Sequence, residues 1–273
     1  MSGRAIRAII GKDLRVVSRA RGVMIPLVIV PVVFLVVFPA VAGLVVANVD
    51  LADPALSDFT MLLDNMPPGL LDEFGAPESK NAQVLLYMLV YFFAPFFLIV
   101  PLMVASVIAA DSFAGEKERK TLEALIYSPT SDQELYLAKV LSPWVAAVVV
   151  TVAGLVGYAV IANAVAWPLL GRIFFPNLMW LILTLWVAPA AAGLGLGTMV
   201  LVSSRVSGFQ EAYQLGGMVV LPVLLLIVGQ LAGVIYFSVE FVVLIGLVLW
   251  ALDLAILWYG ARTFQRGELL ARL

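Results

Sequence analysis

Six long apolar runs alternate with short polar ones along the chain. They cover residues 24–47, 83–110, 140–163, 178–202, 213–236 and 241–259. Each approaches or exceeds the roughly 20 residues that carry a helix across a bilayer. At 1.5 Å per residue the second would rise roughly 40 Å, more than the hydrocarbon core, so it is expected to tilt or project. Pro26, Pro31 and Pro39 in the first run, and Pro95 and Pro101 in the second, predict kinks. Residues 1–22 follow a different pattern. Ile6, Ile9, Ile10, Leu14 and Val17 recur at helical spacing, with Arg4, Arg7, Lys12, Arg15 and Arg19 on the other face. This predicts a basic amphipathic helix lying along the inner membrane surface. A secretory leader also sets bases before an apolar run. Here the basic region is long, the run exceeds the about 7–15 residues of a leader, and no A-x-A site follows it closely.

The bases fix an orientation. Six crossings put both termini on one side. That side then holds Arg4, Arg7, Lys12, Arg15, Arg19, Arg21, Lys117, Arg119, Lys120, Lys139, Arg205, Arg262, Arg266 and Arg272. Only Lys80 and Arg172 fall on the other side. Fourteen against two predicts cytoplasmic termini in the plasma (inner) membrane of a prokaryote. The polar loop 48–82, with seven acids, is then outside and is too short for a folded domain of its own. Loop 111–139 is inside, and the whole chain reads as one all-α transmembrane domain.

Composition agrees and removes several chemistries. The chain is 63% hydrophobic and 12% charged, against about 25% charged in soluble domains. It has no cysteine and no histidine. Disulfides, thiolate or imidazole metal sites and Cys or His nucleophiles are therefore excluded. No HExxH pair and no pair of aspartates within spans supports a membrane-embedded protease.

Residues 111–139 form the most densely charged stretch between two apolar ones. It carries Asp111, Glu116, Glu118, Glu123, Asp132 and Glu134 with Lys117, Arg119, Lys120 and Lys139. Leu122, Leu125 and Ile126 fit one apolar stripe. Glu116 with Lys120, and Arg119 with Glu123, stand at i,i+4. Ser128-Pro129 ends the helix, and Ser131 with Glu134 reads as a capping box opening the next. The pattern fits either a solvated connector or a docking element for a soluble partner.

The run DSFAGEKERKTLEALIYSPTSDQELYLAKVL resembles the loop between the second and third spans of ABC-2-type transporter permeases. The Glu-Lys-Glu core, the Thr-Leu-Glu and the Ser-Pro are all in register with that family, although Lys120 stands where glycine is frequent. The six-span plan, the amphipathic amino-terminal helix and the segment from Phe209 to Gly217 are similar too. The resemblance implies an ABC-2 exporter-like fold. Its amino-terminal helix would be a connecting helix. A cytoplasmic coupling helix, formed or led into by residues 116–123, would rest on a separate ATPase subunit. Phe113, Glu116, Lys117, Glu118, Arg119, Thr121, Leu122, Glu123 and Leu125 would serve that coupling. ATP and Mg would be bound by the partner and no cofactor by this chain. A homodimer or heterodimer with a second permease is implied, in contact with membrane lipid and not with nucleic acid. The chain has no G-x-x-x-x-G-K-[ST] phosphate loop of its own, so it is not expected to be an ATPase.

Candidates for a transport path lie elsewhere. Asp253 falls in the last span, where a carboxylate is costly and is a functional candidate by default; pairing with a base or packing in a hydrated vestibule is the structural alternative. Tyr91, Phe92 and Phe96 make the outer half of the second span aromatic, as a path for an amphiphile or as an interfacial belt. Glu211 stands at the inner entrance of the fifth span. Gly229-Gln230 is expected to break that span, and the resemblance implies a re-entrant piece over residues 231–240. An ion-coupled carrier is the rival function, and a non-transporting immunity or anchor protein on the same fold is another. The carrier would call for several in-span acids or paired broken helices.

Overall fold

A computed structural model describes residues 3–48, 79–119, 132–203, 205–206 and 208–263. The described residues are helical or in short turns, with no strand among them. Helix α1 spans Gly3–Arg19. Six further helices are long and apolar enough to cross a membrane: Arg21–Asn48, Lys80–Glu118, Glu134–Leu170, Leu178–Ser203, Phe209–Leu231 and Val239–Trp258. They are numbered here as the first to sixth spans. The second is the most enclosed and the fourth comes next, while the other four turn broad apolar faces outward. Outward apolar faces are what lipid contact requires, because hydrocarbon solvates them without cost.

Pro26, Pro31 and Pro101 lie inside α-helical segments, and wide turns occur elsewhere. The first, second and fourth spans contain π-helical turns at Val33–Val37, Tyr87–Phe92 and Leu183–Val187. Each is followed closely by a proline, at Pro39, Pro95 and Pro189. Proline has no N–H to give the carbonyl four residues back. Those carbonyls belong to Leu35, Tyr91 and Leu185, all inside the π turns.

Side chains from three other spans occupy the carbonyls exposed in the second. The Tyr158 hydroxyl donates to Leu89 O at 2.5 Å, Trp180 Nε1 to Val90 O at 2.7 Å, and Gln230 Nε2 to Tyr91 O at 2.8 Å. The third, fourth and fifth spans thus each hold one of three successive carbonyls of the second. A buried backbone acceptor left bare would be costly, which is why buried polar side chains belong here. Tyr158, Phe97, Phe175 and Trp180 pack around the same point, with Tyr158 stacked on Trp180 at 4.7 Å.

Close approach of the second and fourth spans depends on one glycine. A Cβ built on Gly195 would lie 2.6 Å from the backbone carbonyl of Leu102. Such small residues at an interface let membrane helices pack by van der Waals contact alone.

The second span continues past Ala110. A π turn at Asp111–Gly115 carries it on to Glu118, and Asp111, Ser112, Ala114, Gly115 and Glu116 are buried. At its far end the fifth span stops at Leu231, next to the expected break at Gly229-Gln230. Gly233 then adopts φ +69°, and the chain folds back so that Val234 and Ile235 N–H both reach Gly229 O. Residues 232–238, within the stretch expected to be re-entrant, hold no helix.

Candidate functional site

Helix α1 carries its buried face toward the rest of the chain. Ile9, Asp13 and Val17 recur at i,i+4 and are all buried. Ile9, with Ile6 beside it, packs on Leu135 and Ala138 of the third span. Arg4, Arg7, Arg15 and Arg19 are exposed on the opposite side. The apolar stripe expected to lie on lipid is therefore used, at these positions, against protein. An aspartate sits in the middle of it.

That aspartate belongs to a buried charge cluster. Glu116, 5% exposed, and Lys139, 1% exposed, form an ion pair with Glu116 Oε2 as acceptor. Lys139 Nζ also donates to Ser112 O at 2.9 Å and lies 3.8 Å from Asp13 Oδ2. Lys12 Nζ donates to Glu116 Oε1 at 2.5 Å and stands 3.1 Å from Asp13 Oδ1. Two acids and two bases thus join α1, the end of the second span and the start of the third. Burial pushes the Asp13 carboxyl above its ordinary 3.8; Lys139 and Lys12 oppose this and Glu116 adds to it. Burial works against the Lys12 charge, but hydrogen bonding and attraction to Glu116, with Asp13, leave it above its ordinary 10.5.

The next two residues reach the other way. Lys117 Nζ lies 3.5 Å from Val206 O, in the link between the fourth and fifth spans. Glu118 Oε2 accepts from Phe209 N at 2.9 Å, at the amino-terminal end of the fifth span. A carboxylate there satisfies an orphan N–H and meets the positive end of the helix dipole. Arg119 folds back onto Asp111, Nη1 to Oδ1 at 2.9 Å. The half-buried ring of Phe113 faces Lys139 Nζ, 5.9 Å from its centroid. Glu211 lies with Glu118, Gly208, Gln210 and Gln214 around an open cleft of about 430 Å³.

So Phe113 and residues 116–119 converge where α1, the end of the second span and the starts of the third and fifth spans meet. Glu116 pairs with Lys12 and Lys139, and Arg119 with Asp111, partners to which the i,i+4 spacing does not point. Lys120, Thr121, Leu122, Glu123 and Leu125 lie outside the described residues. Asp13 and Lys139 were missed as members of the cluster. The available signal was Asp13 itself, the lone acid of residues 1–22, on the apolar face midway between Ile9 and Val17.

The transport-path candidates have separate surroundings. Tyr91 is buried beneath Gln230. Phe92 and Phe96 are half-buried and join Phe93 and Phe34, with Phe34 stacked on Phe96 at 5.9 Å. They knit the first span to the second. Asp253 is 1% exposed and faces Gly193 of the fourth span, with no hydrogen-bond donor for either oxygen among the described residues.

No curated protein and no solved structure matches the chain. The sequence pattern of the family described as ABC-2 family transporter protein matches residues 7–264, almost the whole length. With six apolar helices and that match, the chain is a multi-pass membrane component of an ABC transporter, and it belongs to the ABC-2 transporter permease family.

Proposed function

We propose that the chain is the permease subunit of an ATP-driven exporter, worked by a separate ATPase that docks on the segment beyond Glu118. One observation carries this reading. Glu116, Lys117 and Glu118 are consecutive, yet they bind α1 with the third span, the link before the fifth span, and the fifth span itself. A push on the segment they lead into is shared among four elements at once. A solvated connector needs no such attachments.

The absence of a phosphate loop from the sequence supports a separate ATPase, which would bind ATP and Mg. A six-span unit forms half of a two-fold pathway, so a dimer with itself or a second permease completes it. The lysine and arginine asymmetry supports cytoplasmic termini in a prokaryotic plasma membrane. Thr121, Leu122, Glu123 and Leu125 would complete the docking surface. Tyr91, Phe92, Phe96, Asp253 and Glu211 stay candidates for the path, with Tyr91 and Asp253 closed in here. The ion-coupled carrier keeps one observation in its favour, the buried Asp253.

The test is purification from native membranes in mild detergent, with mass spectrometry of what accompanies the chain. A stoichiometric Walker-A protein, lost in Leu122→Asp, supports the reading. Glu118→Ala is expected to keep the ATPase bound and lose transport. A chain that comes alone, from membranes in which a known transporter complex survives extraction, overturns it.

A further inference from the structure

The contact between the fourth and sixth spans encloses a carboxyl that no described side chain neutralises. Asp253 is 1% exposed. A Cβ built on Gly193 would overlap its Oδ2, so the absent side chain at Gly193 is what makes room for it. One turn on, Gly197 receives Ile256 in the same manner, and toward the other end Gly246 receives Trp186. The carboxyl therefore sits within a continuous close helix contact.

No charge faces it. The fourth span, Leu178–Ser203, contains no acid, base or tyrosine. From the third span, the Tyr136 hydroxyl approaches the sixth but donates to Leu257 O. On the sixth span itself Glu240 stands at the opposite end, and Tyr259 and Arg262 lie beyond the described side chains. Among the described residues neither oxygen has a donor. An isolated carboxylate in such surroundings costs far more than a neutral acid, and a carboxyl held there binds a proton.

We propose that Asp253 is a proton-binding site, holding its proton while the fourth and sixth spans are closed on each other and releasing it when they part. In the closed contact the group is the neutral acid. On separation its O–H bond breaks, the electron pair stays on the carboxylate, and water entering the gap takes the proton. Gly193 sets the site by letting the helix backbone cover the acid. This inference does not depend on the ATPase reading, and it applies equally to a permease driven by a partner.

Infrared spectroscopy of the protein in lipid nanodiscs tests it. The expected result at neutral pH is a protonated-carboxyl stretch that shifts with isotope-labelled aspartate and is missing in Asp253→Asn. Because the chain has no cysteine, Leu201→Cys with Trp258→Cys would place two spin labels, at exposed positions of the fourth and sixth spans, without background. As rising pH removes the band, the distance between the labels is expected to lengthen. A spectrum without an aspartic-acid band at neutral pH, or one unchanged by Asp253→Asn, overturns the proposal. Loss of the band at a constant label distance overturns the link to helix separation. The isotope shift reads the wild-type chain, so the first test survives a variant that folds poorly.

Discussion

Glu116 and Lys139 meet as a buried ion pair, one on the second span and one on the third, with α1 closing over them. Their energetic weight is unequal to that of a surface pair. Removing one partner from a buried pair typically costs about 3–5 kcal/mol, since the other charge is stranded. Lys139→Met is therefore expected to destabilise the protein by about that amount in detergent unfolding. Adding Glu116→Gln to it should recover part of the loss. Lys12 is 40% exposed at its side chain. Lys12→Ala should cost less than about 1 kcal/mol. Equal effects of the two lysines would contradict the geometry.

Asp13 gives the cluster a pH signature. Its carboxyl is raised in the fold above 3.8, so the folded state holds this proton more tightly than the unfolded chain does. Its contribution to stability is full below 3.8 and is lost as pH rises through the raised folded value. Stability of the wild type relative to Asp13→Asn should accordingly fall between acid and neutral pH. Parallel pH profiles for the two proteins would show that Asp13 is not buried in this way.

Gly195 should tolerate nothing larger. A methyl group there meets the Leu102 carbonyl, which is backbone and cannot rotate aside. Gly195→Ala is expected to cost about 1–3 kcal/mol by forcing the second and fourth spans apart. Gly157, on the third span, has nothing within 4 Å of an added Cβ. Gly157→Ala should be neutral or mildly stabilising in the same thermal melt.

The three side chains on the second span's carbonyls should contribute modestly and separately. Tyr158→Phe keeps the ring and removes the hydroxyl. Hydrogen bonds between membrane helices average roughly 0.6 kcal/mol, and a loss of this order is expected. Trp180→Phe should cost more, because ring volume is lost with the N–H. Hydrogen exchange at the backbone amides near Phe93 would report whether the π turn loosens in either variant.

Much of the fold was legible because lipid imposes a coarse rule. A run of apolar residues either is or is not long enough to cross. Span ends were less legible, since they depend on local closures such as the turn at Gly233. The charged stretch was read in its residues but not in its distant partners. Helical spacing pointed Glu116 to Lys120 and could not point it to Lys12 and Lys139, 104 and 23 positions away. Contacts of that range leave no periodic trace in a sequence. Asp253 was visible as an in-span acid, but its glycine cradle was not, because Gly193 lies on another helix.

The wide turn at Asp111–Gly115 acts as an angular index for the three residues after it. Each residue of an α-helix advances the next by about 100°, and a π turn inserts one residue into that sequence. Glu116, Lys117 and Glu118 point toward three different neighbours only at the angle this turn sets. Deleting a single residue within it would leave every charge after Asp111 in the chain yet swing all three by about 100°. The attachments of Glu116, Lys117 and Glu118 are therefore specified by a count of residues as much as by their identity.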